Sequence, residues 1–387
     1  VQTRYKILLI CSALHAMNHS YWNLLPPVIP LIMNEFGFGY SVAGLVLSSF
    51  YITYALFQLP VGVFSDRIAK RLIVAPGTVL QALGLGLTAL ARNLWQLVTF
   101  QGVSGIGGST YHPTGLSLIG DTFPPSERGR AIGIHGAAAS IGFFVTPIVL
   151  GALSGYGWRT PLMLVSIPGF VLALLVWYCA PEEIRRPPRR MQGEKKSMTE
   201  WINRPVAFTV VVRSFFGLAD RGISSFLPTF LYATYGFEVG FASLLFSISP
   251  GAGMISGPLI GMASDRVGRK KIILVLLATI SLSAAGLGFK TSISSLILLL
   301  IAFGATVQAF VPVTDALTAD LLPQGARGSG FGVLYTVVIL AQAVAPAIAG
   351  FLVDFYGFQA GFLILGITAA LGFPFVALTR PRQPSQP

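Results

Sequence analysis

Long apolar runs fill almost the whole chain, and short clusters of charge, proline or glycine end each of them. A bilayer core about 30 Å thick needs roughly 20 apolar residues per helix, and the runs reach that length repeatedly. The pattern predicts twelve membrane-spanning helices, at about 5–33, 40–65, 71–92, 95–121, 127–153 and 159–180, then 205–233, 239–264, 270–289, 293–320, 326–352 and 358–379. Between the two sets lies a polar, proline-rich and charged stretch from Pro181 to Arg204, which reads as a linker outside the membrane. The expected organisation is a bundle of six helices over 1–180, a linker over 181–204, and a second bundle with a short tail over 205–387.

The two sets are copies of one unit. Gly62-Val63-Phe64-Ser65-Asp66-Arg67-Ile68-Ala69-Lys70-Arg71 returns as Gly261-Met262-Ala263-Ser264-Asp265-Arg266-Val267-Gly268-Arg269-Lys270, displaced by 199 positions. The same displacement superposes Gly37 on Gly236, Gly105 on Gly304, Pro113 on Pro312, Asp121 on Asp320, Pro124 on Pro323, Arg128 on Arg327, Gly133 on Gly332 and Pro147 on Pro346. A recurrence this extended marks an internal repeat of the kind that builds secondary transporters.

Composition agrees: 53% of residues are hydrophobic and 10% are charged, a balance that a water-soluble surface of this size does not allow. The net charge of +12 invites a nucleic-acid reading, but Lys and Arg cluster at the ends of apolar runs, where they set orientation. Twelve spans put both termini on one side, and 21 of the 26 Lys and Arg lie on that side; the expectation is that termini and linker are cytoplasmic, in a multi-pass protein of the cell membrane. Val1 stands only a few residues before the first run, so that run is expected to be retained and not cleaved as a leader. Cys11 and Cys179 both fall in expected spans and define neither a disulfide framework nor a zinc spacing.

At the repeated loop the chain resembles the major facilitator superfamily, whose signature between the second and third spans has the form Gly-x-x-x-Asp-Arg-x-x-Lys/Arg-Arg. Gln101 to Gly108 resembles that superfamily's fourth-span motif, and Gly142 through Pro147 to Gly151 is similar to a loosened fifth-span antiporter motif. His15, Asn18 and His19 with Leu25 to Leu31, and Tyr111-His112-Pro113, look most like the fosmidomycin-resistance-type exporters. Gln101 stands where the fourth-span motif usually has an arginine implicated in proton handling, so that role does not carry over. The resemblance implies a carrier with a pocket between its halves. It also implies a conformational latch at Gly62, Asp66, Arg67, Lys70 and Arg71, repeated at Gly261, Asp265, Arg266, Arg269 and Lys270, in which Asp66 pairs across a helix interface and faces a helix N-terminus. The plainer alternative, that the basic residues only anchor topology, stays open above all for Lys70, Arg71, Lys270 and Lys271.

Ionisable groups at membrane depth cost a few kcal/mol or more unless they face protein or water, so each is a candidate for function. His15, Asn18, His19 and Trp22 fall along one line of the first helix, Tyr111 and His112 lie on one side of the fourth, and His135 lies in the fifth. In the second set Arg213, Asp220 and Arg221 lie in the seventh span, and Gln308 and Asp315 share a face of the tenth. Histidines here serve either to bind a solute and carry protons or to pin helices together; the Arg and Asp residues serve either as an anion site with a proton carrier or as a salt bridge between helices. A metal at the histidines is set aside because no carboxylate or thiolate stands at ligand spacing.

The expected function is secondary transport of a small organic solute, amphiphilic or anionic, by alternating access and with protons as the coupling ion. An efflux antiporter is the leading form, with an organic-anion or metabolite importer or a uniporter as the alternative, and a divalent-metal carrier behind both. Membrane lipids surround it, no cofactor and no nucleic acid are called for, and a monomer is expected. An enzyme would need a nucleophile or metal constellation at one membrane face, and Gly-x-Ser-x-Gly is absent. A channel would need a pore ring, usually built by symmetric subunits.

Overall fold

The computed structural model describes residues 3–65, 67–185, 204–322 and 327–379. Helices account for nearly all of them: α1 (Thr3–Trp22), α2 (Ile29–Phe36), α3 (Tyr40–Ser65), α4 (Arg71–Ala89), α5 (Leu94–Gly108), α6 (Tyr111–Thr122), α7 (Pro125–Leu153), α8 (Arg159–Cys179) and the single turn α9 (Glu182–Arg185), which falls within the stretch expected as a linker, come first. After it come α10 (Arg204–Tyr235), α11 (Val239–Val267), α12 (Arg269–Leu287), α13 (Ile293–Leu321), α14 (Arg327–Ala370) and α15 (Phe373–Leu378). Among the described residues, eight helical stretches are long and apolar enough to cross a membrane. One of them, Leu334–Leu378, turns at Gly357, where φ is 77° and ψ is 170°, and so supplies the eleventh and twelfth expected spans. The first, fourth and seventh fall short of that measure for local reasons: the first carries His15, Asn18 and His19, the fourth is broken into α5 and α6, and the seventh carries Arg213, Asp220 and Arg221.

Proline explains this break and the one between α1 and α2. Its ring excludes the carbonyl four residues earlier, so a helix interior tolerates it poorly. α1 stops at Trp22, four residues before Pro26, and the chain becomes helical again at Ile29, with Pro30 in the first turn of α2. α5 stops at Gly108, just before Ser109, the residue that Pro113 would crowd. The equivalent Pro312 interrupts nothing, and α13 runs unbroken from Ile293 to Leu321. The difference tracks the residues upstream. Gly107-Gly108 precede Pro113, whereas Thr306-Val307 precede Pro312, and glycine costs a helix about 1 kcal/mol relative to alanine.

The 199-residue displacement reappears in three dimensions. Asn93 and Ser292 each cap a helix by accepting from the backbone N–H three residues on, at 3.0 and 3.2 Å. Gly37 and Gly236 end α2 and α10 with φ of 68° and 72°, and their N–H groups donate to Met33 O at 2.9 Å and Tyr232 O at 3.1 Å. That left-handed conformation carries no steric penalty only in glycine. Gly105 lets α5 approach α3 so closely that a Cβ would lie 2.2 Å from the Phe50 carbonyl oxygen, and a Cβ on Gly304 would lie 1.9 Å from that of Ser249. Phe50 and Ser249 are themselves 199 residues apart.

By packing, the chain divides into two compact units, one formed by Val1–Gln192 with Leu227–Ser247 and the other by Gly193–Phe226 with Ile248–Pro387. In the first, α1 packs on α7, α3 on α5, and α4 on both α5 and α8. The segment 227–247 joins it through Gly240, whose carbonyl oxygen would lie 2.8 Å from a Cβ on Gly151, and through Tyr232, whose hydroxyl accepts from Asn34 Nδ2 at 3.2 Å. In the second unit α12 packs on α13 and α14.

Candidate functional site

The break before Tyr111 places two polar rings at the start of α6, opposite the polar face of α1. His15 Nδ1 lies 2.8 Å from the His135 carbonyl oxygen, which can only accept, so the His15 proton sits on Nδ1. His15 Nε2 is 3.0 Å from His19 Nε2; with His15 neutral, His19 is the donor in that contact. His112 Nδ1 meets the Tyr54 hydroxyl at 2.6 Å. The His135 ring lies flat on that of His15, with centroids 3.9 Å apart and planes within 6°. Tyr111 donates its hydroxyl proton to the Cys11 carbonyl and stands 3.3 Å from His135 Nδ1. Trp22 stacks over His112 at 5.8 Å, and Phe143 closes on His19 at 4.7 Å. Asn18 Nδ2 donates to Gly108 O at 2.9 Å and fixes α1 to the end of α5.

All seven first-half candidates therefore gather in one cluster: His15, Asn18, His19, Trp22, Tyr111, His112 and His135. Tyr54, Gln81 and Phe143 complete it and were not singled out from the sequence. Gln81 accepts from Asn18 at 3.4 Å, and its own Nε2 is buried with no hydrogen-bond partner, as is Asn18 Oδ1. A polar glutamine inside an apolar run was the available signal; Tyr54 and Phe143 offered none beyond being aromatic.

The second-half candidates form two charged groups within the other unit. Arg213 on α10 pairs with Asp315 on α13, and Tyr335 on α14 donates to the second carboxylate oxygen at 2.6 Å. The Arg213 guanidinium also lies 4.8 Å from the centre of the Tyr335 ring. Arg213 is almost wholly buried, with 3% of its side chain exposed, while Asp315 keeps 24%. Asp220 meets its neighbour Arg221 at 3.3 Å and accepts from Ser224 at 3.2 Å, all on α10. Of the pairings open from sequence, the one between helices is thus Arg213 with Asp315. Gln308 lies two turns before Asp315 with its stem over Gly253, where a Cβ would come within 2.1 Å, and no hydrogen bond among the described residues joins it to the charged groups. Tyr335 was the residue missed here.

The repeated loops hold a pair of ion pairs. Asp66 lies outside the described residues, Arg67 is exposed, and Gly62 has room for a Cβ, with Pro113 3.8 Å away. Lys70 is buried, donates to Ser117 Oγ and pairs with Asp121 at 3.2 Å. Arg269 pairs with Asp320 at 2.8 Å and with Asp265 at 3.3 Å. Lys70 and Arg269, and Asp121 and Asp320, are equivalent under the repeat. So are Arg71 and Lys270: Arg71 reaches the Trp177 carbonyl at 3.4 Å and its ring at 4.9 Å, and Lys270 reaches the carbonyls of Ala377 and, at 3.1 Å, Thr379. Arg266 is exposed, and Gly261 has nothing within 4 Å of a Cβ position. Asp121 and Asp320 were not named as partners from sequence, although the displacement had already superposed them.

The major facilitator superfamily model matches residues 8–287 and, overlapping it, 209–387. The chain belongs to the major facilitator superfamily. Over 367 residues it is 26% identical to the hexuronate transporter of Bacillus subtilis (strain 168), covering 87% of this chain and 85% of that protein. It is 21% identical to the multidrug resistance protein MdtG of Yersinia enterocolitica over 374 residues, covering 94% and 90%. A crystal structure of a bacterial homologue of the human lysosomal transporter Spinster, inward-facing and occupied, superposes with a TM-score of 0.81 at 18% identity, covering 98% and 97%. The superfamily fold, a multi-pass place in the cell membrane and a transport function follow, and the relatives are transporters, not enzymes. In superfamily terms, the histidine cluster and the Arg213 pair lie on helices that the repeat makes counterparts: α1 answers to α10, and α5 with α6 to α13.

Proposed function

We propose that this protein is a secondary transporter that moves a small organic anion, a carboxylate or sulfonate, together with a proton, by alternating access of two six-helix lobes. The observation that carries the proposal is the Arg213–Asp315–Tyr335 group. A guanidinium has five N–H donors in a planar fork, and one carboxylate does not exhaust them. An incoming anion competes with Asp315 for Arg213, and a buried carboxylate stripped of its counter-charge takes up a proton. Anion and proton then travel in the same direction, which favours the symport form over the efflux antiporter expected from sequence. Asp220 and Arg221 offer a second charged pair of the same kind. The hexuronate transporter resemblance supports an acidic sugar as the first solute to try.

Efflux of an amphiphilic solute is the second reading. It is favoured by the aromatic wall of Trp22, Tyr54 and Phe143 around the histidines and by the likeness to MdtG.

Proteoliposomes separate the two. With the outside acidic, uptake of glucuronate should rise with the gradient, and Arg213→Gln should reduce it at least tenfold while the purified protein keeps its elution profile. Uptake indifferent to both the gradient and the substitution would overturn the proposal. Gradient-driven movement of an amphiphilic dye against the proton flow, with no glucuronate uptake, would establish the second reading instead.

A further inference from the structure

We propose that His15, His19 and His112 form a binding site for a divalent transition cation of the zinc, cobalt or nickel kind. One ring nitrogen from each lies within 4.8 Å of the others. His15 and His19 are four residues apart on α1, one helical turn, so both rings leave the same face, and α6 brings the third. Spacing along the chain could not reveal this set, because His112 is almost a hundred residues away and reaches the others only through the break in the fourth span.

The surroundings resemble those of a ligand set. A histidine that binds a metal through one nitrogen almost always uses the other to hold a carbonyl, carboxylate or hydroxyl-type partner, which fixes tautomer and ring direction. His15 does this through Nδ1 with the His135 carbonyl at 2.8 Å, and His112 through Nδ1 with the Tyr54 hydroxyl at 2.6 Å. Both are thereby turned to offer Nε2. The third ligand atom is His19 Nε2, already 3.0 Å from that of His15. Four-coordinate zinc with bonds of about 2.0–2.1 Å spaces its nitrogens by roughly 3.3 Å. One contact, at 3.0 Å, is therefore slightly short, and the widest, within 4.8 Å, has no more than about 1.5 Å to close. On binding, His19 moves its proton from Nε2 to Nδ1, and the cation replaces the hydrogen bond between the two rings.

Imidazole-only ligation selects zinc, cobalt, nickel or copper over magnesium and calcium, which take oxygen ligands. Three neutral rings leave the charge of the cation uncompensated and one position open, so hydroxide or a small anion completes the site. The inference is independent of the anion–proton reading: it uses none of Arg213, Asp315 or Tyr335.

The test is a cobalt titration of the tag-free full chain in detergent, stripped with chelator beforehand. One equivalent of Co2+ per chain should bind with the strong visible absorption of a four-coordinate ion, and Zn2+ should abolish it. His19→Gln and His112→Gln should each weaken binding at least a hundredfold, and Tyr54→Phe should weaken it less, roughly tenfold, as loss of an outer partner does. Uptake by the wild type equal to that of the His19→Gln/His112→Gln double variant would overturn the proposal. Should the variants fail to fold, the wild type decides alone: a weak, six-coordinate spectrum or no stoichiometric uptake overturns it. Glucuronate flux is measured separately, so either proposal can fail without the other.

Discussion

Lys70 shows how much a single residue's role depends on its surroundings. In sequence it is one basic residue in a basic loop, and an orientation signal accounts for it. In the structure it is buried, with 6% of its side chain exposed, and Asp121 and Ser117 share its charge. Its counterpart Arg269 keeps 25% exposure and pairs with two carboxylates, Asp265 and Asp320. A buried ammonium that loses its partner is penalised more than a guanidinium that is still wet and still paired. Asp121→Asn should therefore lower stability by about 1–2 kcal/mol, and Asp320→Asn by less than about 1 kcal/mol, read as melting temperatures of the two proteins in the same detergent. Equal losses would mean that the difference in burial does not govern these pairs.

At the scale of the element, glycine and proline decide where helices touch and where they stop. Gly105 and Gly304 stand where a single methyl group would run into a backbone carbonyl of a neighbouring helix, and backbone cannot step aside as a side chain can. Gly261, in the second copy of the loop motif, faces open space. Gly105→Ala and Gly304→Ala should each cost about 1–3 kcal/mol and reduce the yield of monodisperse protein, whereas Gly261→Ala should leave stability unchanged or slightly improved. Size-exclusion profiles and thermal unfolding of the three variants check this. A transport defect in Gly261→Ala without a stability defect would place the need for that glycine in another conformation of the carrier. The prolines divide in the same physical way. Pro26 and Pro113 end helices because weak helix formers or further prolines stand beside them, while Pro147, Pro312 and Pro346 sit within continuous helices.

For the whole molecule, the distribution of charge predicts orientation: most Lys and Arg fall at the ends of the spans that face the same side as both termini. A green fluorescent protein fused after Pro387 should fluoresce, and alkaline phosphatase fused at the same point should stay inactive; the reverse pattern would place the termini outside. Sequence periodicity sufficed for the spans because lipid imposes its demand locally, one helix at a time: each segment must be apolar over about 20 residues whatever its neighbours are; the duplication and the family resemblance were legible in the loop motif and its echo 199 positions on. The polar residues were legible for the same reason, since His15, Arg213 or Asp315 stands out in an apolar run. Their partners were legible only as open alternatives, as for Arg213 with Asp315, or not at all. Which pairing forms, that Tyr335 joins it, that Lys70 belongs with Asp121, and that Tyr54 holds His112 are facts about helices meeting side by side, and the chain's own order carries no record of such lateral distances. Only the folded packing, set by where Gly105 lets two backbones close and where Pro113 breaks a helix, brought one ring nitrogen from each of three histidines on two spans to within 4.8 Å of the others.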